Sequence, residues 1–195
     1  MVTGDQAAGR QCILGQAQQL FLAHGYHGVS IRDIVQACGL SNAALYYHFG
    51  NKQNLFVEVV RAFVAMAAQL VQEAGAGSDS CRERLASMVE AFTQFSWESR
   101  GELQTLLRDL TECEGEGIQR LIPEAMGQIP ALFATVLEEG IAAGEVRAVD
   151  AHRISILLTG MINSLAARRM LGNAPEPLTE DVDLAISTLF EGIGA

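Results

Sequence analysis

Between Ser41 and Lys52 the sequence places residues suited to gripping a nucleic acid: Asn42, Ala43, Ala44, Tyr46, Tyr47 and His48 in close succession, then Lys52. With Leu45 and Phe49 turned inward, a rotation of about 100° per residue sets Ala43 and Tyr47 on the opposite helix face, flanked by Ala44 and Tyr46. Small residues at the start of such a helix allow close approach to a groove floor, and Tyr hydroxyls and His48 reach phosphates. Upstream, Arg32 is suited to guanine, as Asn42 is to adenine, whereas an alanine methyl only touches a thymine methyl, so direct base readout is sparse. Tyr46 has a second reading as partial core packing, and His48 a second reading as a structural histidine among aromatics.

The elements needed to position these residues follow from local signals. Ile13, Leu14, Ala17, Leu20 and Phe21 form the apolar stripe of a first helix that stops at Gly25. A second helix begins at Ser30 as N-cap, with Asp33 completing a capping box and Val29 and Ile34 placed as a hydrophobic staple. Gly39 ends it after about two turns, and Ser41 caps a third helix with Leu40 against Leu45. Asn51 caps a fourth, which runs to about Ala74 and ends at the small, flexible stretch Gly75 to Ser78. A short helix, a glycine turn and a second short helix form a helix-turn-helix, whose second helix enters the major groove of double-stranded DNA.

These residues, from Ser30-Ile31-Arg32-Asp33-Ile34 through Cys38-Gly39-Leu40-Ser41 to Leu45-Tyr46-Tyr47-His48-Phe49 and Lys52, resemble the TetR family of one-component regulators. The resemblance is dense from about Ala8 to Phe56 and continues in layout beyond it. It implies phosphate contacts from Ser30, Tyr46, Tyr47, His48 and Lys52, and base-edge contacts from Arg32, Asn42, Ala43 and Ala44, with Ser41 at the helix start. It further implies a helix-turn-helix domain over residues 1–50 and a ligand-binding, dimerising domain over 51–195. The arm before the first helix departs from the family habit, offering Arg10 and few other cations, so a shallow salt dependence is expected.

The rest of the chain reads as long amphipathic helices, over about 79–98, 101–113, 117–143, 150–171 and 178–193. The fold class is therefore all-α, a three-helix N-terminal module plus a helical bundle, about nine helices in all; a homodimer is expected because one short helix reads only a few base pairs, and the resemblance implies the same. Phe63, Met66, Met88, Phe92, Phe95, Leu107 and Met126 are ordinary core stripes or, as the resemblance implies, the walls of an adaptable apolar pocket. Arg108 and Asn163 would orient a small, largely apolar effector there. Ile154, Leu158, Met161, Ile162 and Leu165 on one helix, with Leu189 and Phe190 on the last, form a candidate dimer face. Asp109, Glu112, Glu114 and Glu116 read as a solvated acidic turn.

Composition narrows the alternatives. The formal charge is −10, yet residues 1–60 balance Arg10, Arg32 and Lys52 against Asp5, Asp33 and Glu58, so the acidity belongs to the remainder. No run reaches the roughly 18 uninterrupted apolar residues of a membrane span, and Asp5 stands where a signal peptide is cationic, so a cytoplasmic location is expected. Cys12, Cys38, Cys81 and Cys113 are scattered and read as reduced thiols filling core, with no metal or cofactor expected. No Glu-x-x-His, nucleophile with its base, or phosphate loop supports an enzyme. The alternative function is a helical adaptor that binds protein and no DNA.

Overall fold

The computed structural model describes residues 2–172 and 179–193. Among them nine α-helices follow one another: α1 (Val2–Gly28), α2 (Ile31–Ala37), α3 (Asn42–Phe49), α4 (Lys52–Ala74), α5 (Cys81–Glu98), α6 (Arg100–Glu112), α7 (Glu116–Ala142), α8 (Ala151–Gly172) and α9 (Thr179–Ile193). A single 3-10 turn, Gly75–Gly77, separates α4 from α5. The chain divides into two compact units, Met1–Phe63 with Arg100–Pro123, and Val64–Ser99 with Glu124–Ala195. α6 and the first turns of α7 thus belong with the N-terminal helices, an assignment that helical periodicity does not disclose.

In the first unit α1 packs on α2, α3 and α6, and α2 on α3. Ile13, Ala17 and Phe21 recur at four-residue spacing on α1 and are fully buried, as are Ile34, Leu45, Leu55 and Phe56. Phe21 meets Phe56 edge-on, with ring centroids 5.6 Å apart, a geometry favoured by the ring quadrupoles. Burial of each such side chain contributes roughly 1.5–3 kcal/mol, which is what allows helices of seven and eight residues to persist.

The α1 stripe breaks where expected. Gly25 adopts φ 76 and ψ 165, and one more helical turn follows as far as Gly28. A left-handed φ with extended ψ is open in practice to glycine alone.

In the second unit α5 packs on α8 and α9, and α8 on α9. Leu85, Val89, Phe133, Leu137, Leu158 and Ile186 are among its buried residues. Ser80 caps α5 by accepting the Glu83 N–H at 3.2 Å, so the helix starts slightly later than its apolar pattern predicts. The stretch expected to be a flexible linker is instead built in. Gly75 is buried, its carbonyl accepts from Arg84 Nε at 3.3 Å, and a Cβ there would lie 2.8 Å from Met88 Sδ.

Helix α4 qualifies by length and hydropathy as a candidate span over Lys52–Gly77, although its apolar run is interrupted. Its apolar residues are spent on core, since Leu55, Phe56, Val59, Val60, Phe63, Ala67 and Val71 are all buried.

Candidate nucleic-acid interface

The caps that shape the helix-turn-helix form as the sequence predicts. Ser30 Oγ accepts the Asp33 N–H at 3.2 Å and donates to Asp33 Oδ2 at 2.7 Å, while the Ser30 N–H donates to the same carboxylate at 2.8 Å. These hydrogen bonds hold the Asp33 carboxyl below its ordinary range. Gly39, at φ 66, reverses the chain, and Ser41 Oγ accepts the Ala44 N–H at 3.3 Å to open α3. Asn51 Oδ1 accepts the Asn54 N–H at 2.7 Å to open α4.

On α3 the two faces separate cleanly. Leu45 and Phe49 are buried, while Asn42 and Ala43 are exposed and Ala44 is half-buried. Tyr46 and Tyr47 stand out of the surface, 52% and 71% exposed. Their rings and hydroxyls are open to solvent on this face. Tyr46 is thus only partly covered by the core. His48 is half-buried, edge-on to Tyr47 with centroids 5.0 Å apart, and a Cβ on Gly9 would lie 3.7 Å from its Nε2. It is therefore placed to orient Tyr47.

The cations are more committed than their types suggest. Arg10 pairs with Glu58 at 2.8 Å and lies over the Phe49 ring at 5.1 Å; Arg61 pairs with the same glutamate at 3.0 Å. Lys52 Nζ donates to the Tyr26 carbonyl at 2.5 Å and lies 4.2 Å from the Tyr26 ring centroid. Burial pushes the Lys52 pKa down, against the opposing pull of Cys113, Asp109 and Asp33. Its ammonium ties the end of α1 to the start of α4 before it meets any ligand. Ser30 likewise spends its hydroxyl on the cap, while Arg32 is exposed on α2.

Behind this surface lies a junction with no signal in the sequence. Asp109 of α6 is only 2% exposed, so it does not belong to a solvated acidic turn. Its Oδ2 accepts the Tyr26 N–H at 2.5 Å, across a separation of 83 residues. One residue of the kinked α1 end is thereby held on both sides, its N–H by α6 and its carbonyl by Lys52. Of the other acidic residues, Glu112 lies 3.8 Å from His27 Nε2 and Glu116 pairs with Arg120 at 3.3 Å.

The pocket candidates are dispersed. Met88 is buried, and Phe92 and Phe95 pack against the core of the second unit. Phe63 is buried in the first unit. Leu107 and Met126 are 54% and 74% exposed, and Met66, Arg108 and Asn163 are exposed as well. A helical stripe fixes which residues share a face but not which face points inward. The dimer candidates show the same effect, because Leu158, Ile162 and Leu189 are buried in their own unit, with Ile154, Met161 and Phe190 packed against that core. Leu165 is half-buried. Among the described residues, the large apolar side chains exposed on α8 and α9 include Ile156, Leu157 and Leu184.

Comparison with known proteins gives a consistent result. Residues 13–59 match the family described as bacterial regulatory proteins, tetR family, and residues 78–167 match the tetracyclin repressor-like C-terminal domain. The chain is 29% identical over 194 residues to the HTH-type transcriptional repressor AcnR of Corynebacterium glutamicum, covering 97% of each protein. It is 30% identical over 189 residues to AcnR of Corynebacterium efficiens, covering 94% of each. Among solved structures, it is similar in fold to the transcriptional regulator FadR of Bacillus subtilis in complex with stearoyl-CoA, with a TM-score of 0.73 at 17% identity, over 94% of this chain and 98% of the other.

Proposed function

The chain belongs to the TetR family of bacterial regulators, and from that premise we propose that it is a repressor that binds operator DNA as a dimer and is released by a small, largely apolar effector. The observation that carries this reading is α3, whose Leu45 and Phe49 are sunk in the core while Asn42, Ala43, Tyr46 and Tyr47 face out. Arg32, Asn42 and Ala43 meet base edges; Tyr46 and Tyr47 meet the backbone. One short helix reads few base pairs, so a two-fold pair of heads reading a palindrome is required for useful specificity. Exposed Ile156, Leu157 and Leu184, next to the exposed Gly160 on α8, supply the apolar surface for that pairing.

For the effector, Met88, Phe92, Phe95 and Met161 supply adaptable apolar side chains in the second unit. The FadR complex is a case in which this fold holds a ligand with a long acyl chain. Release works by population shift: the effector favours a dimer whose heads no longer match successive major grooves. Helices α4 and α7 begin in the first unit and end in the second, so they are the covalent route for that shift.

The test is fluorescence anisotropy with DNA from the region flanking the protein's own gene. Tyr47→Ala removes an exposed side chain, so the fold should survive while affinity falls by about tenfold per head. Unchanged affinity overturns the role of Tyr47, and no binding by the unaltered protein favours the protein-binding adaptor. With Arg10 tied to Glu58 and Lys52 to Tyr26, a dimer should show a log–log salt slope no steeper than about −6. A slope near −10, measured over the same titrations, would mean that these cations leave their partners on DNA.

A further inference from the structure

Arg10, Glu58 and Arg61 meet at one corner of the first unit, beside the far end of the recognition helix. Glu58 stands on α4 and accepts from Arg10 of α1 at 2.8 Å through Oε2, and from Arg61, one turn further along α4, at 3.0 Å through Oε1. Both carboxylate oxygens are therefore occupied. The Arg10 guanidinium also lies over the ring of Phe49, the last residue of α3, at 5.1 Å. One residue earlier on α1, a Cβ on Gly9 would stand 3.7 Å from His48 Nε2 and 3.8 Å from Leu40 Cδ1, so this stretch of α1 runs along the flank of α3. The repressor reading gives Glu58 no part.

From this arrangement we propose that Glu58 is a built-in brake on DNA affinity, whose carboxylate withholds Arg10 from the phosphate backbone. The proposal rests on the DNA-binding reading above and names a control on that same surface.

Two arginines and one glutamate give this corner a charge of +1, where the arginines alone would give +2. DNA affinity responds to such charges, because each neutralised phosphate releases counterions and steepens the log–log salt slope by about 0.9. Arg10 is placed to supply one such contact. Its side chain is 45% exposed, it stands next to the α3 flank, and its flexible stem lets the charged head swing out once the carboxylate is gone.

An exposed ion pair is weak by itself, yet Arg10 has further reasons to stay. Its guanidinium is attracted to the face of the Phe49 ring, and Arg61 already holds Glu58 in position. If Arg10 left for a phosphate, Glu58 would keep one cation where it had two, with its own side chain only 32% exposed and a second anion close by. A grip limited in this way suits a regulator. Effectors typically change affinity by about 5–150-fold, so they release only what is not held much more tightly.

The full chain is titrated by anisotropy against DNA flanking its gene and against a random duplex of equal length, from about 50 to 200 mM salt. Glu58→Gln removes the charge while keeping the side chain's size and an oxygen to accept from Arg61; Glu58→Met serves if that variant fails to fold. Expected is a gain of about tenfold at the low-salt end, equal on both DNAs because phosphate contacts carry no sequence information. The salt slope should be steeper than the parent's by about 2 for a dimer. Arg10→Gln should weaken the parent less than about twofold yet remove the whole gain from Glu58→Gln, a departure from additivity that marks coupled residues. Glu73→Gln, the same change of charge further along α4, should keep the parent's slope. An unchanged slope in Glu58→Gln overturns the proposal, as does a gain that survives Arg10→Gln or a pair of effects that simply add. If the parent binds neither DNA while Glu58→Gln binds both, the brake stands in its strongest form; if neither protein binds, the repressor reading falls and the brake with it.

Discussion

Gly25→Ala is expected to destabilise the protein by about 2–4 kcal/mol, the sum of backbone strain and a displaced carboxylate. The backbone there has φ 76 and ψ 165, a region in which any Cβ collides with its own peptide neighbours. The surroundings offer no relief, because the added methyl would lie 3.0 Å from Arg108 Nη2 and 3.2 Å from Asp109 Oδ2. Arg108 is exposed and swings away at little cost; Asp109 is buried and cannot move without losing the Tyr26 N–H. For a chain of this size, a loss of about 3 kcal/mol lowers the melting temperature by roughly 6–12 °C. Gly28→Ala is the control. Its φ is not left-handed and a Cβ there meets only His24 Cβ at an ordinary 3.6 Å, so its melting temperature should stay within a degree or two of the parent's. Equal melting temperatures for the two variants would show that the Gly25 kink is not required.

The contrast between these glycines shows what can be read from sequence here. Gly39 is identifiable because its role is local: a helix with a capping box precedes it, and a capped helix follows. The same holds for Ser30, Ser41 and Asn51, whose partners lie three residues on. Gly25 announces a helix break, but not that α6 crowds it, since the contact spans 83 residues. Gly140 is less visible still. It lies within α7, and a Cβ there would come within 2.6 Å of Cys81 Sγ, a close approach that helix propensity alone treats as a defect. Amphipathic stripes likewise gave the correct helices and an ambiguous orientation. Leu158 and Ile162 face the core from α8, whereas Ile156 and Leu157 are exposed. The reading surface of α3 was legible because short helices bury one narrow face, which leaves no choice about the other.

Asp109→Ala should weaken DNA binding from a position outside the helix-turn-helix. The carboxylate makes a charge-assisted hydrogen bond to the Tyr26 N–H; removing it leaves a half-buried amide unpaired, at a cost of about 2–4 kcal/mol. The consequence is not confined to stability. Lys52 holds the Tyr26 carbonyl, and only Asn51 separates α4 from Gly50, the φ 77 C-cap of α3. When the kinked end of α1 relaxes, the lysine that ties it to α4 follows, and the far end of the recognition helix loses its fixed reference. Affinity is expected to fall about tenfold at temperatures well below the midpoint of unfolding, where the variant is still folded. Asp109→Asn retains an acceptor for the same N–H and should recover more than half of both losses. Arg108→Ala removes the exposed partner of the buried Asp109 at 3.3 Å but leaves the carboxylate its Tyr26 N–H, so it should cost less than Asp109→Ala in both stability and affinity. Thermal melts and anisotropy titrations on the same three variants separate the two roles. A stability loss with unchanged affinity in Asp109→Ala would reduce the junction to scaffolding, whereas a parallel recovery of both in Asp109→Asn identifies α6 as the element that sets the position of the DNA-reading helix.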